Sequence, residues 1–243
     1  MRVHVLGCGD AFGSGGRNMS GYLVETEEKL FLLDCGPTSL LAMKREGFNP
    51  SRLDAVFLTH LHGDHFGGLP FFFIDALYTN PRPAPLDLAG PRGTEERVRE
   101  LFKLMYGNPA APREIPPTTF HILEPDQTAR VQGIEIFPFR VPHQENVSLG
   151  LVVSTGGKRI LYSGDAAWTD LFLHHARGAD LFLCECCFYH EDSTTHMSYH
   201  KIEQNLSRLQ CKRLILTHMG ETMLARRSEL PVETAADGMI IEL

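Results

Sequence analysis

Apolar residues along this chain are grouped in short runs closed by glycine, proline or polar clusters, and the runs alternate with segments of helical spacing. The first half predicts strands near Val3–Gly7, Gly21–Glu25 and Lys29–Asp34, a helix over Pro37–Glu46 and a strand over Leu53–Leu58. A helix from Gly67 to Tyr78, a proline-rich loop at Asn80–Pro85, a strand at Leu86–Ala89 and a helix at Thr94–Met105 follow. Residues Tyr106–Pro117, rich in proline, alanine and glycine, read as a second loop. The second half predicts strands at Thr119–Leu123, Ile134–Val141, Ser148–Ser154, Arg159–Ser163, 179–184 and 213–217, with helices at Thr169–Ala176 and Ser198–Leu209. No long linker, low-complexity segment or fixed repeat interrupts the pattern, so residues 1–243 are expected to form one domain. Two β-rich halves carrying helices on their outside predict an α/β fold, a four-layer αββα sandwich.

Composition narrows the setting. No apolar run approaches the ~20 residues that cross a bilayer, and the start Met1–Asp10 lacks a signal-peptide core. No membrane partner is therefore expected, and the cytoplasm is the expected location. A formal charge of −7 works against non-specific nucleic-acid binding, so a polyanionic substrate needs a specific site. The six cysteines are too dispersed for a disulfide scaffold. Cys184, Cys186 and Cys187 follow the apolar run 179–183 and read as small hydrophobes of a buried strand rather than as a thiolate metal site. The run Leu69–Tyr78 is apolar nearly all round; core burial is the simpler reading of it, and a homodimer interface covering a second apolar face is the sharper one.

The candidate chemistry sits where apolar strands stop. Directly after Ala55–Leu58, the segment Thr59-His60-Leu61-His62-Gly63-Asp64-His65 places three histidines and an aspartate within six residues. On extended backbone His60, His62 and Asp64 point the same way, and Gly63 permits a turn that brings His65 beside them. Three further strands end in the same manner, at His143, Asp165 and His218. Strand ends of one sandwich can converge on one rim. The pattern suggests His60, His62 and His143 on one ion, Asp64, His65 and His218 on a second, and Asp165 bridging. Imidazole and carboxylate ligands with open positions are typical of hydrolytic sites that activate water, whereas structural zinc sites are closed and thiolate-rich. Two divalent ions are expected, zinc first, with manganese and iron compatible with the same donors.

With these residues in place, the sequence resembles the metallo-β-lactamase superfamily and, within it, the branch of ribonuclease Z and related phosphodiesterases. The His60–His65 motif followed in order by His143, Asp165 and His218 carries the resemblance over nearly the whole chain. It implies the αββα fold and a dinuclear centre. The glycine-rich opening Leu6–Ser20 resembles that branch's N-terminal loop, where Arg17 would contact a substrate phosphate. Glu185 and His196 match the pair that, in ribonuclease Z relatives, protonates the departing oxygen, although Cys184, Cys186 and Cys187 replace the residues usual around that glutamate. Members that process transfer RNA carry a long arm between the third-motif histidine and the bridging aspartate; here only Gln144 to Gly164 intervene.

The resulting expectation is a metal-dependent phosphodiesterase whose substrate is a small molecule or an RNA 3′ end, a small or cyclic phosphodiester being favoured, with Asp64, Glu185 and His196 as catalytic residues and Asp64 also a ligand. A thioester, lactone or lactam hydrolase on the same centre is the first alternative. A di-iron oxidoreductase would need an attached flavin domain, and a silent RNA-associated scaffold commonly loses ligands, whereas all seven are retained here. The loops at Tyr106–Pro117 and Gly90–Gly93 are the expected determinants of specificity.

Overall fold

The structure, a computed structural model, describes residues 1–107, 114–144, 147–191 and 193–243. Strands numbered in chain order form two sheets. The first contains β1 (Arg2–Gly7), β2 (Gly21–Glu25), β3 (Leu30–Leu33), β4 (Ala55–Phe57), β5 (Leu86–Gly90) and β6 (Thr118–Ile122), and β14 (Ile240–Glu242) flanks β1. The second runs in the order β13 (Glu233–Thr234), β12 (Leu214–Thr217), β11 (Leu181–Glu185), β10 (Lys158–Tyr162), β9 (Leu149–Thr155), β8 (Ile134–Arg140) and β7 (Ala129–Val131). Strands β3 to β6 are parallel, as are β10 to β13, so their carboxyl ends share a rim in each sheet.

Period-two alternation explains the layering. Val3, Val5, Tyr22, Val24, Phe31, Leu33 and Phe57 face Ile134, Ile136, Leu151, Val153, Ile160, Tyr162, Leu183 and Ile215 across the space between the sheets. The intervening residues Leu6, Leu23, Leu32, Val56 and Leu88 face outward and are covered by α1 (Ser39–Arg45), α3 (Leu69–Tyr78) and α4 (Thr94–Tyr106). Val152, Leu161, Phe182 and Leu216 do the same for α5 (Leu171–Ala176), α6 (Tyr199–Glu203) and α7 (Glu221–Leu224). Strands buried on both faces read as continuous apolar runs, which is why they were visible in the sequence. The expected αββα sandwich is thus present. Among the described residues no helix is long and apolar enough to cross a membrane.

Departures from the expected elements have local causes. The turn Gly63–Phe66 is a separate short helix, α2, so α3 begins at Leu69. The helix expected over Ser198–Leu209 breaks after Glu203: Asn205 donates its side-chain amide to Lys201 O at 2.9 Å and accepts from Arg208 at 2.7 Å, bonds that compete with helix continuation. Strands β7, β13 and β14 were not expected. β14 pairs with β1 from the opposite end of the chain, a contact no local pattern encodes. Of the expected specificity loop Tyr106–Pro117, residues 108–113 lie outside the described residues.

Candidate metal centre

Four of the seven candidate ligands lie just beyond the end of a strand, His60 after β4, His143 after β8, Asp165 after β10 and His218 after β12, while Asp64 and His65 lie in α2 and His62 directly precedes it. The structure gathers all seven on the rim between the two sheets. His143 Nε2 lies 3.0 Å from His62 Nδ1, and both converge with His60 Nε2 on Asp165 Oδ2, which is 3.9 Å from His60 and 3.8 Å from His143. The other oxygen, Asp165 Oδ1, lies 3.0 Å from His65 Nε2 and 3.3 Å from His218 Nε2. Asp64 Oδ2 completes this second group, 3.2 Å from His65 and 3.4 Å from His218. One carboxylate therefore divides its two oxygens between two clusters of donors.

Hydrogen bonds on the far side of the rings decide which nitrogens point inward. His65 Nδ1 donates to Asp34 at 2.7 Å and His143 Nδ1 donates to Thr195 O at 2.7 Å. The Thr59 hydroxyl donates to Asp34 at 2.9 Å, and its oxygen lies 3.0 Å from His60 Nδ1, whose N–H it is placed to accept. Holding Nδ1 as donor leaves Nε2 with a free lone pair, the arrangement expected around metal-binding histidines. His60 Nε2, His65 Nε2 and Asp165 Oδ1 are buried with no hydrogen-bond partner. Such orphaned donor atoms are costly unless something satisfies them, and a pair of divalent cations fits this donor set.

Asp34 was not singled out from the sequence, yet it organises the centre. Besides His65 and Thr59 it accepts from the Tyr162 hydroxyl at 2.7 Å. The available signal was that Asp34 ends the apolar strand β3, as the ligands end theirs. Both Asp34 (φ 56°) and His218 (φ 53°) adopt the left-handed region, uncommon for residues with a side chain and found where local structure is over-determined. Close approach is also needed at Gly36, where an added Cβ would lie 2.4 Å from Asp64 O.

Charge follows geometry. Burial would raise the Asp165 carboxyl, but His218 and His65 beside it override that effect and hold it well below the usual carboxylate range. Asp64 is likewise lowered, by hydrogen bonds from His218 and His65 that outweigh its burial. Burial pushes His60 and His143 below the ordinary imidazole value. The neighbouring carboxylates hold His65 and His218 well above it despite their burial, so an incoming cation would displace protons from those two rings.

Glu185 lies at the end of β11, fully buried, with Oε2 accepting from Ala166 N at 2.7 Å and Met197 N at 3.2 Å. Its Oε1 meets His196 Nδ1 in a short hydrogen bond. Burial raises the Glu185 carboxyl; the same carboxylate raises His196 despite that ring's partial burial. His196 opens into a cavity of about 840 Å³ that is also lined by His62, Asp64, Asp165 and His218. The structure thus brings the expected pair beside the ligands. Cys184 and Cys186 are buried against Met197 and Met223, as expected of strand hydrophobes, whereas Cys187 lines the cavity.

Arg17 requires a correction. Gly15 and Gly16, both at positive φ, reverse the chain and return Arg17 against Gly9. Its guanidinium donates to Ala235 O at 2.7 Å and lies 2.9 Å from Cys8 Sγ, away from the cavity lining. It fastens the N-terminal loop to the C-terminal segment instead of reaching toward substrate.

A family model described as Anti-Pycsar protein Apyc1 matches residues 1–236. Ribonuclease Z of Brevibacillus brevis is 26% identical over 271 residues, covering 90% of this chain and 85% of that protein. The probable metallo-hydrolase YhfI of Bacillus subtilis is 26% identical over 229 residues, covering 90% and 87% of the two chains. The crystal structure of YhfI, a metallo-β-lactamase fold protein, matches with a TM-score of 0.78 at 22% identity over 99% of both chains. Human tRNase Z, short form, matches with a TM-score of 0.81 at 23% identity over 100% of this chain and 99% of that one.

Proposed function

The chain belongs to the family described as Anti-Pycsar protein Apyc1, and from that membership and the geometry of the rim we propose that it hydrolyses a small or cyclic phosphodiester with two divalent ions, zinc first, at the seven-residue cluster. It is a metal-dependent hydrolase of the metallo-β-lactamase fold, related to ribonuclease Z. The observation that carries the finer reading is the placement of the Glu185–His196 pair in the same cavity as the divided carboxylate of Asp165.

His60, His62 and His143 would hold one ion and Asp64, His65 and His218 the other, with Asp165 shared. Cations held there supply Lewis acidity toward a phosphoryl oxygen and lower the pKa of a coordinated water. In this reading Asp64 also takes the proton from the attacking water. His196, made more basic by Glu185, carries a proton to the departing alkoxide, and the buried carboxylate holds the ring's orientation and its charge. An acyl transfer with a good leaving group has no need of that proton, so the pair favours a phosphodiester over a thioester, lactone or lactam.

Substrate size follows from the connection between His143 and Asp165. Strands β9 and β10 form an antiparallel hairpin from Leu149 to Tyr162, leaving no length for an RNA-clamping arm. The test is a screen of metal-loaded protein against bis(p-nitrophenyl) phosphate, cyclic nucleotides, precursor transfer RNA, a thioester and a β-lactam. Preference for small phosphodiesters supports the reading; preference for the thioester or β-lactam overturns it.

The exposed residues Phe71, Leu77 and Tyr78 of α3 and Leu104 and Met105 of α4 support a homodimer formed through these two packed helices. Light scattering after size exclusion checks it: a monomer at micromolar concentration removes the idea.

A further inference from the structure

The turn that carries His196 also carries the acceptor of a metal-ligand candidate. Thr195 O accepts from His143 Nδ1 at 2.7 Å, and the next residue, His196, meets Glu185 through its own Nδ1. One residue further on, Met197 N–H donates to the second Glu185 oxygen at 3.2 Å. The Thr195 carbonyl and the His196 N–H belong to a single peptide unit, which is planar and rotates as one piece. One end of that plane therefore orients His143, and the other end is where the His196 side chain begins.

A single hydroxyl holds the plane. Ser193 Oγ accepts from the Thr195 N–H at 3.1 Å and from the His196 N–H at 3.2 Å, and it lies 3.2 Å from the Thr195 hydroxyl. Among the described residues it is the only protein acceptor for either N–H. Backbone pairing starts only beyond the turn, where Phe188 N–H donates to Met197 O at 3.1 Å and Tyr199 N–H to Phe188 O at 2.8 Å. Ser193 itself does not line the cavity, so it acts through the groups it holds.

We propose that Ser193 is a positioning residue that sets His143 and His196 together, by locking the one peptide plane on which both depend. With the plane locked, the His143 Nδ1 hydrogen is directed at Thr195 O and Nε2 is left facing the first donor cluster. The same lock fixes where the His196 ring starts, so that Glu185 receives it without a search among backbone conformers. Cation affinity and proton delivery are thereby linked through one side chain that touches neither the ligand cluster nor the cavity. The part that concerns His196 rests on the phosphodiesterase reading; the part that concerns His143 does not.

Ser193→Ala removes the acceptor, and Ser193→Thr keeps it. At saturating metal, Ser193→Ala is expected to lose about tenfold or more on an alkyl phosphodiester, since misplacing a catalytic group by about 1 Å can cost ~100-fold. On a p-nitrophenyl ester, whose phenolate leaves without a proton, the loss should be under about twofold. Chelator competition should show divalent-ion affinity lowered about two- to tenfold, less than for a direct outer partner because the effect passes through the Thr195 peptide. Ser193→Thr should restore both quantities. In a His196→Ala background, Ser193→Ala should still weaken metal binding but cost no further rate on the alkyl ester. Equal losses on the two esters, an unchanged metal affinity, or no restoration by Ser193→Thr overturns the proposal. If the parent protein hydrolyses neither ester, a metal affinity lowered in Ser193→Ala and restored in Ser193→Thr leaves the lock on His143 standing and removes the phosphodiesterase reading instead.

Discussion

The Tyr162 hydroxyl, at the end of β10 in the second sheet, donates to Asp34, just beyond β3 in the first, across 2.7 Å. This bond joins the two sheets directly beneath the metal cluster, and its acceptor is the carboxylate that fixes His65. Outer partners of this kind typically change metal affinity ten- to a hundredfold. Asp34→Asn is expected to weaken divalent-ion binding by about that factor, and Tyr162→Phe by about tenfold or less, since Thr59 still bonds Asp34. Competition with a chelator of known affinity measures both; wild-type affinity in Asp34→Asn contradicts the assignment.

Removing the proposed proton donor should show a leaving-group signature. General acid catalysis contributes about 10²–10⁴-fold. His196→Ala and Glu185→Gln are therefore expected to lose roughly that much on an alkyl phosphodiester and far less on a p-nitrophenyl ester, whose phenolate leaves unaided. Metal content by elemental analysis should remain that of the parent. Equal losses on both esters would sink the role given to His196.

Arg17 separates a structural bond from a substrate contact. Arg17→Ala is expected to lower stability by about 1 kcal/mol, the order of a part-buried hydrogen bond from a charged donor. KM for a phosphodiester should change by less than about twofold. Denaturant unfolding and steady-state kinetics read the two effects; a large KM increase at unchanged stability would return Arg17 to the substrate.

Much of this organisation was legible in the sequence because the fold makes its chemistry and its core share one signal. His60, His143, Asp165 and His218 each mark the point where a run buried on both faces stops, so periodicity and reactivity pointed to the same positions. Asp34 obeys the same rule but, followed by Cys35-Gly36, looks like an ordinary turn; only the fold shows three partners converging on it. Arg17 misled because a basic residue in a glycine-rich loop is equally compatible with an anion and with a carbonyl. Its direction depends on two left-handed glycines and on Ala235, more than 200 residues away. Short strands such as β14 were illegible because their pairing is entirely non-local.

A pH effect on stability should come from outside the centre. His175 lies against Phe139, with ring centroids 4.2 Å apart, and its pKa falls from 6.5 to about 4 through burial first, then the neighbouring His174 and Arg159. Above 6.5 the ring is neutral in folded and unfolded chains alike. As pH drops toward 4 the unfolded chain takes up a proton that the folded one refuses, so stability falls, by up to about 3 kcal/mol, and this contribution levels off below the folded value. Unfolding of the parent and of His175→Gln at about pH 7 and about pH 4 isolates the effect. Identical acid losses in the two proteins would refute it.

The parallel strands of both sheets deliver their carboxyl ends to one rim, so the seven clustered ligands ride on segments outside the hydrogen-bonded ladders, with Glu185 as the last paired residue of β11. The cavity wall formed by the Asp10–Gly16 turn can be recut for a different ligand while the apolar layers stay as they are. Architecture of this kind separates the right to fold from the choice of what to cleave, and lets a new preference arise by exchanging a few residues at one lip.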